Sequence, residues 1–287
     1  MLSRLVTATA LDTSRSRLDT RALVAFFGLA YLLSWAWAVP SALRGEVIHR
    51  GDGWPTHLPS LFGPLVAAFL VTAWTVGRAG VADLWRRMVR WRVPARWWLS
   101  AVSPLAFLAV ALVAERLAGD PWPRAAAFGR FTGMPAVGVI GVFLLVTLAA
   151  FGEETGWRGY ALPQLQRRFS PLTATLILAP LWALWHAPQF FVVATYRNFG
   201  VGDCVGFLIG LTCGAVVLTW LYNRSGGSIL IVAVWHGIYN LVGGGTDAAV
   251  GTISAVVSTL VMVQGVTLAG LELRARRRGR PSIIGPH

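Results

Sequence analysis

Long apolar runs recur along this chain, separated by short polar segments. Eight of them lie at about 22–42, 58–76, 97–117, 134–152, 172–194, 204–222, 228–243 and 249–271. A helix needs about 20 mainly apolar residues to cross a bilayer. The seventh run is short and flanked by glycines, and the fourth carries on as a polar helix to about 168. The pattern predicts an all-α fold, a polytopic transmembrane helical bundle of about eight spans. Its divisions are a cytoplasmic N-terminal tail at 1–21, a membrane domain at 22–272 and a basic cytoplasmic tail at 273–287. No internal repeat and no soluble domain interrupt the pattern.

Composition agrees with a membrane class. Of 287 residues, 55% are hydrophobic and only 13% are charged, and the mean hydropathy is +0.61. Soluble proteins are about 25% charged. The net charge of +13 comes from 25 basic residues, all Arg, and invites a nucleic-acid reading. Their placement argues against it, because they sit between apolar runs and at the two ends. Arg4, Arg15, Arg17 and Arg21, then Arg78 to Arg96, then Arg167 and Arg168, Arg224, and Arg274 to Arg280 occupy alternate connections. The other connections hold few Arg and most also carry an acid. Basic residues gather on the cytoplasmic side of membrane proteins. Both termini are therefore expected in the cytoplasm, in a multi-pass protein of the cell membrane with the lipid bilayer as its constant partner. No cleavable leader is read in the polar first twenty residues.

Smaller features carry expectations too. Cys204 and Cys213 lie nine residues apart in one run, roughly 13 Å along a helix, which is too far for a disulfide. Residues 81–96 mix Trp85, Met88 and Trp91 with Arg and read equally as an interfacial helix or as an ordinary basic loop. Gly206, Gly210 and Gly214 share one helical face and predict close helix packing. Pro180 predicts a bend in the fifth span.

Ionisable groups at membrane depth are costly and usually functional. Here they are few: Glu153, Glu154 and Arg158 in the fourth run, His186 in the fifth, and His236 with Asn240 in the seventh. Glu115 and Glu272 fall near span ends, within reach of water. Residues four apart share a helical face, so Glu154 and Arg158 can pair and offset each other's burial. Glu153 points elsewhere and stays free. His236 and Asn240 share a face, and Trp182 sits one turn before His186, where its ring can support the imidazole.

One free carboxylate, two imidazoles and a carboxamide suit amide hydrolysis. A carboxylate in a low-dielectric pocket serves as a general base toward water. One imidazole can orient that water, and a second with the amide can donate to a developing oxyanion. Glu with two His is also a catalytic zinc ligand set, so a metal held by Glu153, His186 and His236 is an alternative route to the same reaction. Other readings stay open: a non-enzymatic immunity or scaffold protein with a structural polar cluster, or a transporter using Glu153 and Glu154 as a proton relay.

The segment Glu153-Glu154-Thr155-Gly156-Trp157-Arg158 fits an EExxxR motif. Trp182-Ala183-Leu184-Trp185-His186 places an aromatic four residues before His, and His236-Gly237-Ile238-Tyr239-Asn240 fits HxxxN. In this order the three motifs resemble the CPBP intramembrane proteases, the type II CAAX prenyl endopeptidase or Abi family, over about residues 134–245. Trp182 departs from the more usual Phe. The resemblance implies that Glu153 activates water with help from His186, that His236 and Asn240 stabilise the oxyanion, and that Glu154 and Arg158 hold the site together. It implies a glutamate-type or zinc endopeptidase, with the metal-free route favoured and no cofactor required. It also implies a peptide or membrane-tethered protein substrate, approached from the cytoplasmic side.

Overall fold

A computed structural model describes residues 19–286 as helices with short connections and no strands. Most of the expected tail at 1–21 lies outside the described residues, as does His287. The first helix, α1 (Thr20–Leu43), is capped by the Asp19 carboxylate, which accepts from the Ala22 N–H. A short 3-10 turn (Leu58–Phe62) leads into α2 (Gly63–Val76), followed by α3 (Arg78–Met88), α4 (Ala95–Ala101) and α5 (Ser103–Leu117). Next come α6 (Gly138–Gly156), a π-helical turn (Trp157–Ala161) and α7 (Leu162–Gln166). The chain returns through α8 (Pro171–Trp185), α9 (Gln189–Val192) and α10 (Ala194–Arg197). It ends with α11 (Val201–Arg224), α12 (Ile229–Val242) and α13 (Gly251–Arg277).

All eight apolar runs are helical, but they differ as spans. Among the described residues, six helical segments are long and apolar enough to cross a membrane. The third run is broken: α4 and α5 meet at 41° around Val102. Pro104 in the first turn of α5 cannot donate a backbone hydrogen bond, which accounts for the break. Counted as one span, this pair makes seven. The eighth segment, α12, has 14 residues. At 1.5 Å per residue it is about 21 Å long, short of a hydrocarbon core of about 30 Å. It is nonetheless enclosed by its neighbours, with Ile231, Val232 and Ala233 fully buried.

Short bridges bind the connections at one end of the bundle. Ile48 pairs with Val193, Arg50 with Thr132, and Phe131 with Thr246. At the other end Arg87 donates to the Gly159 carbonyl and the Tyr222 hydroxyl, and the Ser228 hydroxyl donates to the Arg90 carbonyl. The segment 81–96 is thus a docked helix and turn. Its Leu84 is buried against the bundle, while Trp85 and Trp91 stay exposed.

Two expectations are corrected here. Glu272 does not reach water. It is fully buried, and its carboxylate accepts from the Ser282 hydroxyl and from the backbone N–H groups of Ile283 and Ile284. The chain beyond α13 folds back, Ile284 packs against Leu172 and Val216, and the Asn223 amide donates to the Ile284 carbonyl. A carboxylate inside the bundle is tolerable because it gathers these donors. Glu272→Ala should release the tail, at about 1–3 kcal/mol of local stability. Digestion after Arg280 should then speed up; unchanged digestion would contradict the clamp.

The second correction concerns the glycine face of α11. Gly206 and Gly214 meet no neighbouring atom within 4 Å of a Cβ position, and Gly210 approaches only the Met262 side chain. These glycines border a cavity instead of a packed helix. The close approach of α11 to α13 occurs at Gly265, which abuts the Cys213 backbone.

Candidate active site

The fourth run places its acids where the helix changes form. α6 ends at Gly156, and the π-helical turn that follows carries Arg158. Such turns insert an extra residue into a helix and concentrate at functional sites. Gly152 and Gly156 lie where a Cβ would strike the Leu61 carbonyl and Pro64, so the acidic segment sits hard against the start of α2. On the opposite side Gly237 of α12 faces Thr147 of α6, leaving no room for a side chain. That contact brings His236 and Asn240 beside the acids.

Glu154 and Arg158 are both fully buried and pair as their spacing predicted, with 2.9 Å between guanidinium and carboxylate. The same carboxylate oxygen accepts from His236 Nδ1 at 2.8 Å. Glu154 therefore ties the fourth run to the seventh and sets which ring nitrogen His236 leaves free, namely Nε2. The Arg158 guanidinium also lies 4.2 Å from the centroid of the Trp182 ring, a cation–π contact that spreads its charge over an aromatic face.

Trp182 does more than support an imidazole by packing. Its indole N–H donates to a Glu153 carboxylate oxygen at 2.9 Å, a bond that a Phe at this place cannot make. His186 is not inside a helix but caps the end of α8. Pro188 follows it and stops the helix. In this tightened end the His186 and Ala187 N–H groups bond to Ala183 and Leu184. The Trp182 carbonyl is left to pair with His186 Nδ1 at 2.8 Å. A carbonyl only accepts, so Nδ1 carries the proton and Nε2 is a free acceptor.

Glu153, His186, His236 and Asn240 line one cavity of about 850 Å³, together with Trp182. Glu154 and Arg158 are not among its lining residues; they stand behind it. Glu153 and both histidines are buried and Asn240 is half-buried. All the residues singled out in the sequence thus meet in one region, divided into a lining and a backing layer.

One lining residue escaped sequence reasoning. His57, at the edge of the second run, borders the same cavity, and its Nδ1 has no hydrogen-bond partner. Burial pushes its pKa down to about 4, so the ring is neutral at pH 7. Nothing in its local sequence signals this, since it reaches the site only through the turn before α2.

The zinc alternative needs Glu153, His186 and His236 on one ion. Among the described residues, no set of three or more His, Cys, Asp or Glu side chains is grouped so as to hold a metal. The three border one space without converging as ligands.

Comparison with known proteins adds a likeness over one segment of the chain. Residues 134–242 match the family model for type II CAAX prenyl endopeptidase Rce1-like proteins. This segment is Rce1-like. It contains all three motifs, and its limits agree with the 134–245 expected from them. Over 104 residues the chain is 34% identical to CAAX prenyl protease 2 of Methanococcus maripaludis. The match covers 35% of this chain and 38% of that protein, so the likeness spans well under half of either. The Rce1-like segment supplies Glu153, Trp182, His186, His236 and Asn240 to the cavity. Arg50, His57 and the walls from α13 come from outside it.

Proposed function

We propose that this membrane protein is an intramembrane endopeptidase that hydrolyses a peptide bond with water activated by Glu153. The observation that carries this reading is the shared cavity: a carboxylate, two imidazoles with free Nε2 atoms and a carboxamide border one space. Glu153, steadied by the Trp182 indole, takes a proton from water as the oxygen attacks the carbonyl carbon. His186 Nε2 accepts the water's other hydrogen bond and orients it. Protonated His236 Nε2 and the Asn240 amide donate to the oxyanion. When the C–N bond breaks, the proton on Glu153 passes to the leaving amine.

The substrate class is a peptide or membrane-tethered protein, and no step calls for nucleic acid. The setting is the cell membrane, with both termini in the cytoplasm, a reading that the Arg distribution supports. The favoured route needs no metal. Purified protein in proteoliposomes should cleave a tethered reporter peptide, and a strong zinc chelator should leave the rate unchanged. Loss of activity on chelation, restored by zinc, would return Glu153, His186 and His236 to the role of ligands. No cleavage of any tethered peptide would overturn the proteolytic reading.

Trp182→Phe keeps the ring beneath Arg158 but removes the donor to Glu153. A hydrogen bond to a charged group contributes about 1.5–3 kcal/mol, so the cleavage rate should fall by about tenfold or more. KM should hold, because the indole acts on the base and not on substrate binding. A rate equal to that of the parent would contradict the role.

A further inference from the structure

His57 is set in the cavity wall by a backbone fixed on both sides. Its carbonyl accepts from the Ser60 N–H and from the Ser60 hydroxyl, in the turn that leads into α2. Thr56 before it is held as well: its carbonyl accepts from the Trp37 indole, and its hydroxyl from the Leu58 N–H. Gly133 closes on the imidazole from another segment. It has a φ of 68°, and a Cβ there would come 2.9 Å from His57 Nδ1. The Gly133 N–H is itself bonded to the His49 carbonyl. The ring is therefore wedged, with Nδ1 against Gly133, while the residue borders the cavity.

The polar atoms of this ring lack the partners that the rest of the site has. Glu153 is held by the Trp182 indole, His186 by the Trp182 carbonyl and His236 by Glu154. His57 Nδ1 is buried with no partner among the described residues. Its Nε2 bonds to no described group either, yet it is not shut away as Nδ1 is, so it faces the cavity. Burial keeps the ring neutral at pH 7, so one nitrogen carries a proton and the other accepts. A buried N–H without an acceptor is rarer than a buried acceptor without a donor. The proton therefore sits on Nε2. His57 thus offers the cavity one uncharged donor. It stands close enough to His186 for the two imidazoles to act on each other electrostatically.

A neutral donor with no acceptor in the protein suits an uncharged acceptor brought from outside. An extended peptide brings one with every residue, its backbone carbonyl, and that carbonyl needs a donor once it leaves water. We propose that His57 is a substrate-binding residue whose Nε2–H donates to a backbone carbonyl of the peptide beside the bond to be cleaved. The contact reads the main chain and no side chain, so it holds the segment in place against Glu153 whatever its sequence. The inference rests on the proteolytic reading for the ligand being a peptide. The contact itself comes from outside the Rce1-like segment at 134–242.

Binding and cleavage are measured separately, so that the two readings can fail separately. Equilibrium binding uses Glu153→Gln protein in proteoliposomes and a fluorescent copy of the tethered reporter peptide. Adding His57→Phe keeps a planar ring but no donor, and should weaken binding about tenfold, the scale of one hydrogen bond. Adding His57→Gln instead supplies an amide N–H and should restore most of the loss. With Glu153 intact, His57→Phe should raise KM by the same factor and leave kcat nearly unchanged. A thioamide, whose sulfur is the weaker acceptor, is then placed in turn at each residue flanking the scissile bond. One position should weaken binding to protein that keeps His57 and have no effect once His57 is Phe. Equal binding by the Phe variant, or a loss with unchanged thioamide sensitivity at every position, would overturn the inference and leave the proteolytic reading standing. Binding that depends on His57, with no cleavage by the parent, would overturn the proteolytic reading alone. A peptide neither bound nor cleaved would overturn both.

Discussion

Arg158→Met should destabilise the whole bundle by about 3–5 kcal/mol, the usual consequence of removing one partner of a buried ion pair. Arg158 and Glu154 are both fully enclosed at 2.9 Å separation. Methionine fills much of the space but leaves the Glu154 carboxylate with His236 as its remaining partner. It also strips the cation from the Trp182 face. The losses spread from there, because Trp182 holds Glu153 and Glu154 holds His236. Thermal unfolding in lipid or detergent should show a clear drop in midpoint. Adding Glu154→Gln removes the uncompensated charge and should recover part of the loss. A single Arg158→Met variant as stable as the parent would mean that the pair does not organise the site.

Much of this arrangement is legible in the sequence because lipid punishes polar groups. A carboxylate pair, an Arg and two His stand out against apolar runs, and their i,i+4 spacing gives the Glu154–Arg158 partnership directly. The location of the eight helices follows from the same contrast. What escapes has other causes. The break at Val102 and the end of α8 at His186 depend on prolines, whose effect on a span is local. The shortness of α12 hides within a run of ordinary hydropathy. Glu272 looked like a water-facing end because nothing in its own helix shows the Ser282–Ile284 tail folding back onto it. The glycines of α11 read as a packing face because their spacing is the same whether a helix or a cavity lies opposite. His57 and the Trp182–Glu153 bond join segments distant in the chain, and no periodicity within one helix encodes them.

Glu153→Gln carries the largest effect on chemistry. The substitution keeps size and can still accept from the Trp182 indole, so packing is preserved while the proton acceptor is lost. General-base catalysis is worth about 10²–10⁴ in rate. The same carboxylate must return the proton to the leaving amine, so the loss should lie toward the upper part of that range. The most direct test is a single-turnover assay in proteoliposomes, with parent and Glu153→Gln protein at matched, folded amounts and a reporter labelled on both sides of its scissile segment. The account predicts product from the parent and a rate about 10³-fold lower or undetectable from the variant. Equal rates from the two proteins would contradict it, because the cavity would then be breaking peptide bonds without the base on which everything around it converges.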